Sequence, residues 1–219
     1  AEGAVYDSNR YTLWGMLTRL GCEVIDMGVV RDDPAALEAA FRDAAGCADV
    51  IITSGGVSVG EADFIKQLMT QLGEVAFWKI AMKPGRPMAF GRIEPDGPDR
   101  PGAWLYGLPG NPVAVMVTFY QFVRPAILKL AGLDPMPVTP SFPARCLEAM
   151  KKSPGRTEYQ RGILGRDEQG GWTVRPTGAQ GSGVLRSMAD ADCFIVLEHE
   201  RGKVGAGDMV TVQPLAAIV

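Results

Sequence analysis

The sequence predicts a three-layer α/β domain followed by a small all-β barrel domain. Two observations carry this prediction: helical periods alternate with short apolar runs over residues 1–138, and residues 139–219 hold only short β-rich runs separated by turns. A stretch with four prolines between residues 135 and 143 lies where the pattern changes. We therefore expect two domains, residues 1–138 and residues 139–219.

Helices and strands are expected to alternate along the first domain. Helical periods predict helices at residues 11–20, 33–45, 64–72 and 112–130, and apolar runs predict strands at residues 23–27, 50–52, 75–82, 88–90 and 104–108. Asp33 is a favourable N-cap and Pro34 a favourable first helical residue, so the second helix has a defined start. Strands that alternate with helices imply a parallel sheet with helices on both faces.

The second domain has the pattern of a small antiparallel barrel or sandwich. Its β-rich runs are residues 159–164, 172–175, 193–197 and 209–213. Glycine-rich turns separate these runs, as is typical of small all-β folds.

The composition is ordinary for a globular protein and argues against several function classes. The net charge of −3, without a basic stripe interleaved with aromatic residues, argues against nucleic-acid binding. No apolar run approaches the roughly 18 residues of a membrane span. The four cysteines are far apart without a C-x-x-C pair, which fits reduced thiols. The single histidine, His199, gives little support to a Ser-His-Asp or Cys-His mechanism.

Three loops follow predicted strands, at the carboxyl edge where open α/β sheets bind ligands. The first, residues 53–60, exposes backbone N–H groups and hydroxyls that suit a phosphate or a pterin ring, and its candidate ligand-binding residues are Ser54, Gly55, Gly56 and Ser58. The loop leads into Asp63, whose carboxylate could hold Mg²⁺ or orient water. It could equally be a helix N-terminal charge matched to the helix dipole.

The second loop, residues 107–112, delivers the N-terminus of a helix to the same edge. Asn111 is a favourable N-cap, Pro112 a favourable first helical residue, and Pro109 and Gly110 shape the turn before them. Such a helix end favours anions through free N–H groups and the helix dipole. The alternative is a rigid strand-to-helix turn without a ligand.

The third loop, residues 79–87, presents Lys79, Lys83 and Arg86 around a stiff Pro-Gly turn. Three cations near phosphate-binding loops suggest an oxyanion clamp, and solvated surface charge is the alternative.

Further polar side chains are candidates near these loops and in the second domain. Asp7, Ser8 and Asn9 suit either capping of the first helix or ligand contacts, and Asp32 beside Asp33 is a spare carboxylate. Two residues of the second domain could approach an oxyanion or be ordinary surface and turn chemistry: Arg161 and Ser182.

Taken in order, these segments resemble the MoeA family, which includes the E domain of gephyrin. The segments that carry the resemblance are residues 6–9, 31–33, 53–63, 82–87, 107–112, 155–162 and 181–183. The resemblance covers essentially the whole chain. It implies a molybdopterin-binding, MogA-like α/β domain, then a β-barrel domain. It also implies a reaction in which adenylylated molybdopterin and molybdate give molybdenum cofactor and AMP, with Mg²⁺ or another divalent ion.

The resemblance also assigns roles by motif. It implies that Asp63 and Asp32 are essential acidic residues, with Asp63 at the metal, and that Lys79 and Lys83 are active-site cations. It implies that the pterin substrate contacts the residues named for the first two loops together with Asp7, Ser8 and Asn9. The molybdate contacts that it implies are Lys83, Pro84, Arg86, Arg161 and Ser182.

The sequence departs from the family pattern in three places. The family's first strand, with its Thr-Gly-Asp-Glu-Leu turn, and its two N-terminal domains are absent, and Ala114 stands where relatives often have serine. We therefore expect the polypeptide to bind ligand yet fail to turn it over alone. The full-length protein is expected to be a cytoplasmic homodimer that acts on small molecules, with neither nucleic acid nor membrane as partner.

Three alternatives to the insertase remain. A MogA-type adenylyltransferase shares the α/β domain and the glycine loop, but the β module argues against it. A gephyrin-like scaffold would bind a peptide partner. An isolated pterin-binding domain would have no catalysis of its own.

Overall fold

The computed structural model describes residues 7–31, 33–55, 63–95 and 101–217 of the 219-residue chain. The chain divides into two compact units. The α/β unit comprises Ala1–Ile80 and Gly85–Asn111, and the barrel unit comprises Ala81–Pro84 and Pro112–Val219. The predicted boundary between residues 138 and 139 stays a prediction.

Helices and strands follow the predicted order closely. The helices are α1 Ser8–Arg19, α2 Pro34–Cys47, α3 Asp63–Leu72, α4 Pro112–Thr118, α5 Arg124–Leu130 and α6 Arg186–Ala189. The strands are β1 Val50–Ser54, β2 Gly73–Lys79, β3 Met82–Lys83, β4 Pro87–Ile93, β5 Ala103–Leu108, β6 Phe142–Cys146, β7 Thr157–Arg166, β8 Trp172–Pro176, β9 Cys193–Leu197 and β10 Met209–Pro214. A 3-10 helix spans Leu215–Ala217.

Helix α2 begins as predicted. Pro34 is its first residue, and the Asp33 carboxylate accepts a hydrogen bond from the Ala36 N–H at 2.9 Å. This bond satisfies one of the N–H groups that the first turn of a helix leaves without an intrahelical partner.

The sheet of the α/β unit is mixed, so the prediction of a parallel sheet is wrong. Its strand order is β1-β5-β4-β2, with β1 parallel to β5 and the other two pairs antiparallel. A parallel connection needs a crossover of about a dozen residues or more. Residues 80–86 and 94–102 are too short for such crossovers, so each of them joins antiparallel neighbours.

The predicted strand at residues 23–27 is also wrong. Residues 22–31 have no regular secondary structure, and β1, whose described partner is β5, is an edge strand of the described sheet. An extended segment becomes a strand only when a neighbour accepts and donates its backbone hydrogen bonds. Residues 24–30 line a cavity of about 520 Å³ instead, together with parts of α1, α2 and β1.

One face of the four-stranded sheet packs against α2 and α3. The buried side chains that form this core come from those two helices and from β1, β4 and β5: Phe41, Ala44, Ala45, Ile51, Leu68, Met69, Leu72, Ala89, Ile93, Ala103 and Leu105. The burial of these apolar side chains fixes the edge at which the loops after β1 and β5 emerge.

The second unit is a closed barrel, which confirms the predicted fold class. Strands β7, β8, β6, β10 and β9 pair in that order, and β9 pairs back to β7. Most pairs are antiparallel, but β6 runs parallel to β8. The short strand β3, which the sequence assigned to the end of a strand in the first domain, runs parallel to the start of β7.

The predicted long helix at residues 112–130 is present, but it contains an irregularity. A π-helical turn, Phe119–Val123, joins α4 to α5. The whole stretch Pro112–Leu130 is long and apolar enough to cross a membrane by length and composition, which its sequence alone had not suggested. Half of its most apolar window is buried inside the protein, as in the core helix of a globular fold.

Candidate ligand site

The loop after β5 meets Gly55, the residue that follows β1, at the carboxyl edge of the sheet. The two strands are parallel, so Ser54 and Leu108 end side by side. The Gly55 N–H donates to the Leu108 carbonyl at 3.1 Å. A Cβ placed on Gly110 would lie 3.6 Å from the α-carbon of Gly55, so the two backbones approach closely here. Gly55 has a φ of +89°, which favours glycine at this position.

Asn9 connects the start of α1 to this edge. Its Nδ2 donates to the Gly110 carbonyl at 2.7 Å. Its Oδ1 is buried and has no hydrogen-bond partner within the described part of the chain. A buried amide oxygen without a donor is a costly arrangement in water-excluded surroundings. The Asn9 Oδ1 is thus an unsatisfied acceptor among the described residues at this edge.

Asp7 takes the capping role rather than standing unpaired. It is the N-cap of α1, and it pairs with the Arg10 guanidinium at 2.9 Å. Arg10 in turn pairs with Asp26 at 3.0 Å. Of the two interpretations of the residue 7–9 cluster, capping is what Asp7 does in this structure, and ligand contacts by Asp7, Ser8 and Asn9 stay predictions.

Several predicted site residues lie outside the described residues: Asp32, Gly56 and Ser58. Asp63 is the first residue of α3, but its side chain is likewise outside the description. Among the described residues, no group of three or more His, Cys, Asp or Glu side chains is arranged to hold a metal ion. The metal role of Asp63 stays a prediction.

The start of α4 is linked to the predicted Ser182 loop within the barrel unit. Helix α4 begins at Pro112, as predicted, and the Val113 N–H donates to the Ser182 carbonyl at 3.1 Å. The expectation of free N–H groups at this helix end is therefore wrong for Val113. The turn from Gly181 to Gly183 lies against the helix start, where the helix dipole favours negative charge.

Arg161 is a buried cation in the interior of the barrel unit. Only 1% of the residue is exposed. Its guanidinium donates to the Ser187 hydroxyl at 3.0 Å and to the Gly181 carbonyl at 3.2 Å, and no described carboxylate pairs with it. Burial lowers the pKa of Arg161 to about 10, so the group is still charged at neutral pH. A surface arginine, the alternative suggested by the sequence, is ruled out.

Gln180, in the glycine-rich turn before Ser182, holds the backbone of Arg161. The Arg161 N–H donates to the Gln180 Oε1 at 2.8 Å, and the Gln180 Nε2 donates to the Arg161 carbonyl at 3.0 Å. This pair of bonds imitates a strand pairing and attaches residues 178–183 to β7. The arginine and the Ser182 turn, predicted separately, therefore belong to one structural cluster.

The three cations of the Lys-Pro-Gly-Arg-Pro region are all exposed but belong to different units. Lys79 ends β2, and the Ile80 N–H donates to the Arg86 carbonyl at 2.8 Å, so these residues lie in the α/β unit. Lys83 and Pro84 belong to the barrel unit, where Lys83 lies 3.4 Å from the Glu158 carboxylate. The clamp that would join all three cations stays a prediction.

Two residues buried beside Lys83 were missed by the sequence analysis: Glu158 and Gln160. Both side chains are buried, and Gln160 Nε2 donates to Glu158 Oε2 at 3.2 Å. Two polar residues at an i, i+2 spacing, one just before and one within the strand predicted at residues 159–164, are a signal that could have identified them.

The remaining reactive residue types have no part in this cluster. All four cysteines are free, with Cys146 and Cys193 buried and Cys47 exposed. His199 is exposed and lies 3.6 Å from Glu200, in agreement with a surface position.

Comparison with known families agrees with this arrangement. A sequence model described as a probable molybdopterin binding domain matches residues 1–129. A second, described as the MoeA C-terminal region, domain IV, matches residues 143–215. The fold and the matched order of the two regions define a chain that has a domain of the probable molybdopterin binding family followed by a MoeA C-terminal barrel domain. The chain belongs to the MoeA family.

Several relatives match over nearly all of this chain. The molybdopterin molybdenumtransferase of Haemophilus influenzae is 49% identical over 97% of this chain and 51% of its own length. Gephyrin of Dictyostelium discoideum is 33% identical over 95% of this chain and 32% of its own length. The crystal structure of the molybdopterin biosynthesis MoeA protein from Pyrococcus horikoshii has a TM-score of 0.76 at 29% identity, over 98% of this chain and 49% of that chain. The chain thus spans about half the length of the first and third of these proteins.

Proposed function

We propose that the protein is a transferase of molybdenum cofactor biosynthesis that inserts molybdate into adenylylated molybdopterin and releases AMP. The observation that carries the proposal is the buried guanidinium of Arg161, whose described partners are all neutral. A dianionic oxyanion would supply the missing opposite charge. The Haemophilus relative, named a molybdopterin molybdenumtransferase, supports molybdate as that oxyanion.

Molybdate is held in this proposal by four residues that can donate hydrogen bonds and by one proline. The proposed contacts are Lys83, Pro84, Arg86, Arg161 and Ser182. Fixed donors around a dianion stabilise it without reorganisation at the moment of reaction. The attachment of the Ser182 turn to both Arg161 and the start of α4 supports this role, because it keeps the turn in place before the anion arrives.

The pterin substrate is proposed to bind at the carboxyl edge of β1 and β5. Gly55 and Gly110 approach each other closely and have no side chains, so they form a surface of bare backbone on which a flat ring can lie. Asn9 Oδ1 is the acceptor for a ring N–H. The other proposed contacts are Asp7, Ser8, Ser54, Gly56, Ser58, Pro109, Asn111 and Pro112.

Acidic groups and lysines complete the proposed site. Asp63 is proposed as a ligand of Mg²⁺, which would neutralise charge on the phosphates of the substrate, and Asp32 and Lys79 are proposed to act beside it. The position of Asp63 at the start of α3, directly after the glycine-rich loop, supports this assignment.

We expect Asp63→Asn to abolish AMP release with an unchanged circular dichroism spectrum. Wild-type release by this variant would remove Asp63 from the mechanism.

The proposal is tested by AMP release. The complete polypeptide that carries this chain is incubated with adenylylated molybdopterin, molybdate and Mg²⁺, and AMP is measured by chromatography beside an active molybdenumtransferase as control. We expect release that depends on molybdate. Nucleotide that stays intact while the control enzyme releases AMP would overturn the insertase function.

The rival functions give different results in the same experiment. A MogA-type adenylyltransferase would consume ATP and free molybdopterin, and the barrel match at residues 143–215 disfavours it. A gephyrin-like scaffold would bind a peptide without nucleotide chemistry. An isolated pterin-binding domain would bind substrate without releasing AMP. A homodimer in the cytoplasm, without membrane or nucleic-acid partners, is the proposed setting of the complete protein.

A further inference from the structure

The barrel unit buries a carboxylate directly beside one of the proposed molybdate contacts. Glu158 is only 4% exposed, and it is the second residue of β7. Burial of a carboxylate is unfavourable unless charged or hydrogen-bonding groups compensate it. The partners of Glu158 therefore indicate why a carboxylate is retained at this position.

Both described partners of this carboxylate meet the same oxygen, Oε2. The Lys83 ammonium lies 3.4 Å from it, and the Gln160 Nε2 lies 3.2 Å from it. Gln160 is itself held by the Lys151 carbonyl, which its Nε2 meets at 3.3 Å. Gln160, which is buried, thus fixes the Glu158 carboxylate from one direction. Lys83 is the partner whose side chain reaches solvent.

The backbone brings Lys83 to this carboxylate. Strand β3 pairs in parallel with the start of β7, which sets Lys83 opposite Glu158. The Thr157 N–H donates to the Ala81 carbonyl at 2.9 Å, and the side chain of Met82 is buried. Two independent attachments, one of backbone and one of side chain, therefore define where the ammonium lies.

The Lys83 side chain is nevertheless 52% exposed. An ammonium has three N–H donors, and Glu158 accepts a hydrogen bond from only one of them. The remaining donors are available to an anion from solvent. A lysine without the carboxylate would sample many rotamers, and an anion would have to immobilise it on binding.

We propose that Glu158 is a positioning residue for oxyanion binding, which holds the Lys83 ammonium in a fixed orientation before molybdate arrives. This inference rests on the proposed role of Lys83 in binding molybdate. Glu158 touches no substrate itself. Its negative charge alone would repel an anion, so any loss of affinity on neutralising it must come from loss of position.

The test is a double-mutant cycle on molybdate affinity, measured by isothermal titration calorimetry of the whole chain with sodium molybdate. Glu158→Gln keeps the shape of the side chain and removes its charge. We expect it to weaken binding about tenfold, because the freed lysine loses rotamer entropy on binding. In a Lys83→Met background the same change should not weaken binding, and the loss of repulsion should leave affinity equal or slightly higher.

Two further variants keep the result interpretable. Glu168→Gln removes an exposed carboxylate of the same unit and should leave affinity unchanged. Glu158→Asp retains the charge one methylene further away, and it should bind molybdate between wild type and Glu158→Gln. The aspartate variant also provides the readout if the glutamine variant does not fold.

The outcomes separate this inference from the proposed function. Equal weakening by Glu158→Gln with and without Lys83 would mean a general structural role and overturn the inference alone. Unchanged or tighter binding by Glu158→Gln in the wild-type background would also overturn it. A wild-type chain that does not bind molybdate, or a Lys83→Met variant with wild-type affinity, would instead overturn the proposed role of Lys83 and the inference with it.

Discussion

Replacing the buried Arg161 by methionine is expected to leave the stability of the unliganded protein nearly unchanged while it abolishes the response to molybdate. The lowering of the Arg161 pKa from 12.5 to about 10 corresponds to about 3 kcal/mol against the charged form. Methionine removes this penalty. It also removes two hydrogen bonds from a charged donor, to Ser187 and Gly181, which contribute at least about 1.5 kcal/mol each. The removed penalty and the lost hydrogen bonds therefore nearly cancel, in line with the near-neutral replacement of other buried charges by apolar side chains.

The assay is urea unfolding followed by circular dichroism, with and without saturating molybdate. Wild-type protein should gain about 3 kcal/mol at a molybdate concentration of about 100 times the Kd, by mass action. The methionine variant should gain nothing. Arg145→Met is the matched control, because Arg145 is an exposed arginine of the same unit that pairs with Asp167 at 2.7 Å. It should keep the molybdate response.

Two results would refute the reasoning. An Arg161→Met variant that is less stable than wild type by more than about 3 kcal/mol without molybdate would mean that the guanidinium stabilises the fold and that its charge is compensated. A molybdate response of wild-type size in this variant would mean that the anion binds elsewhere.

Three other predictions concern the ligand edge of the α/β unit and the interior of the barrel unit. Asn9→Ala removes the bond to Gly110 and should lower stability by about 1 kcal/mol and weaken binding of adenylylated molybdopterin, measured by fluorescence titration; unchanged binding would exclude Asn9 as a contact. Gly162→Ala should destabilise the barrel by about 1–3 kcal/mol in urea unfolding, since its Cβ would lie 2.7 Å from Ile195 Cγ1, and an unaffected midpoint would contradict the packing. Burial raises the pKa of Cys193 from 9.0 to about 12, so the native thiol should resist a thiol reagent near pH 8 while exposed Cys47 reacts. Because the folded state keeps this proton, Cys193 should make stability fall as pH rises above 9.0, and stability that rises there would contradict it.

Local chemistry predicted the helix starts and the meeting of the loops well. Asp33 and Pro34 define the start of α2 by capping geometry alone, and no distant contact is needed. The meeting of Gly55 with Gly110 follows from β1 and β5 being parallel neighbours, since their carboxyl ends share one edge. Expectations that rest on one turn or one strand pair can be derived from sequence.

Expectations that need the identity of a neighbour were less successful. Residues 23–27 have strand propensity, yet propensity does not specify a pairing partner. The direction of β4 depends on the length of its connections, which periodicity does not weigh. Glu158 escaped notice because its partner Lys83 is 75 residues away in the chain, and only the pairing of β3 with β7 brings them together.

The two-residue strand β3 gives Lys83 a different structural support from the cations on either side of it. Lys79 and Arg86 are held by the β2–β4 hairpin, and Lys83 is held by β7. Substitutions in β7 can therefore change the position of Lys83 while Lys79 and Arg86 stay in place. Substitutions in the hairpin can move Lys79 and Arg86 while Lys83 stays in place. The cations of a single eight-residue segment, Lys79 to Arg86, can thus be altered through two separate sets of strand pairs.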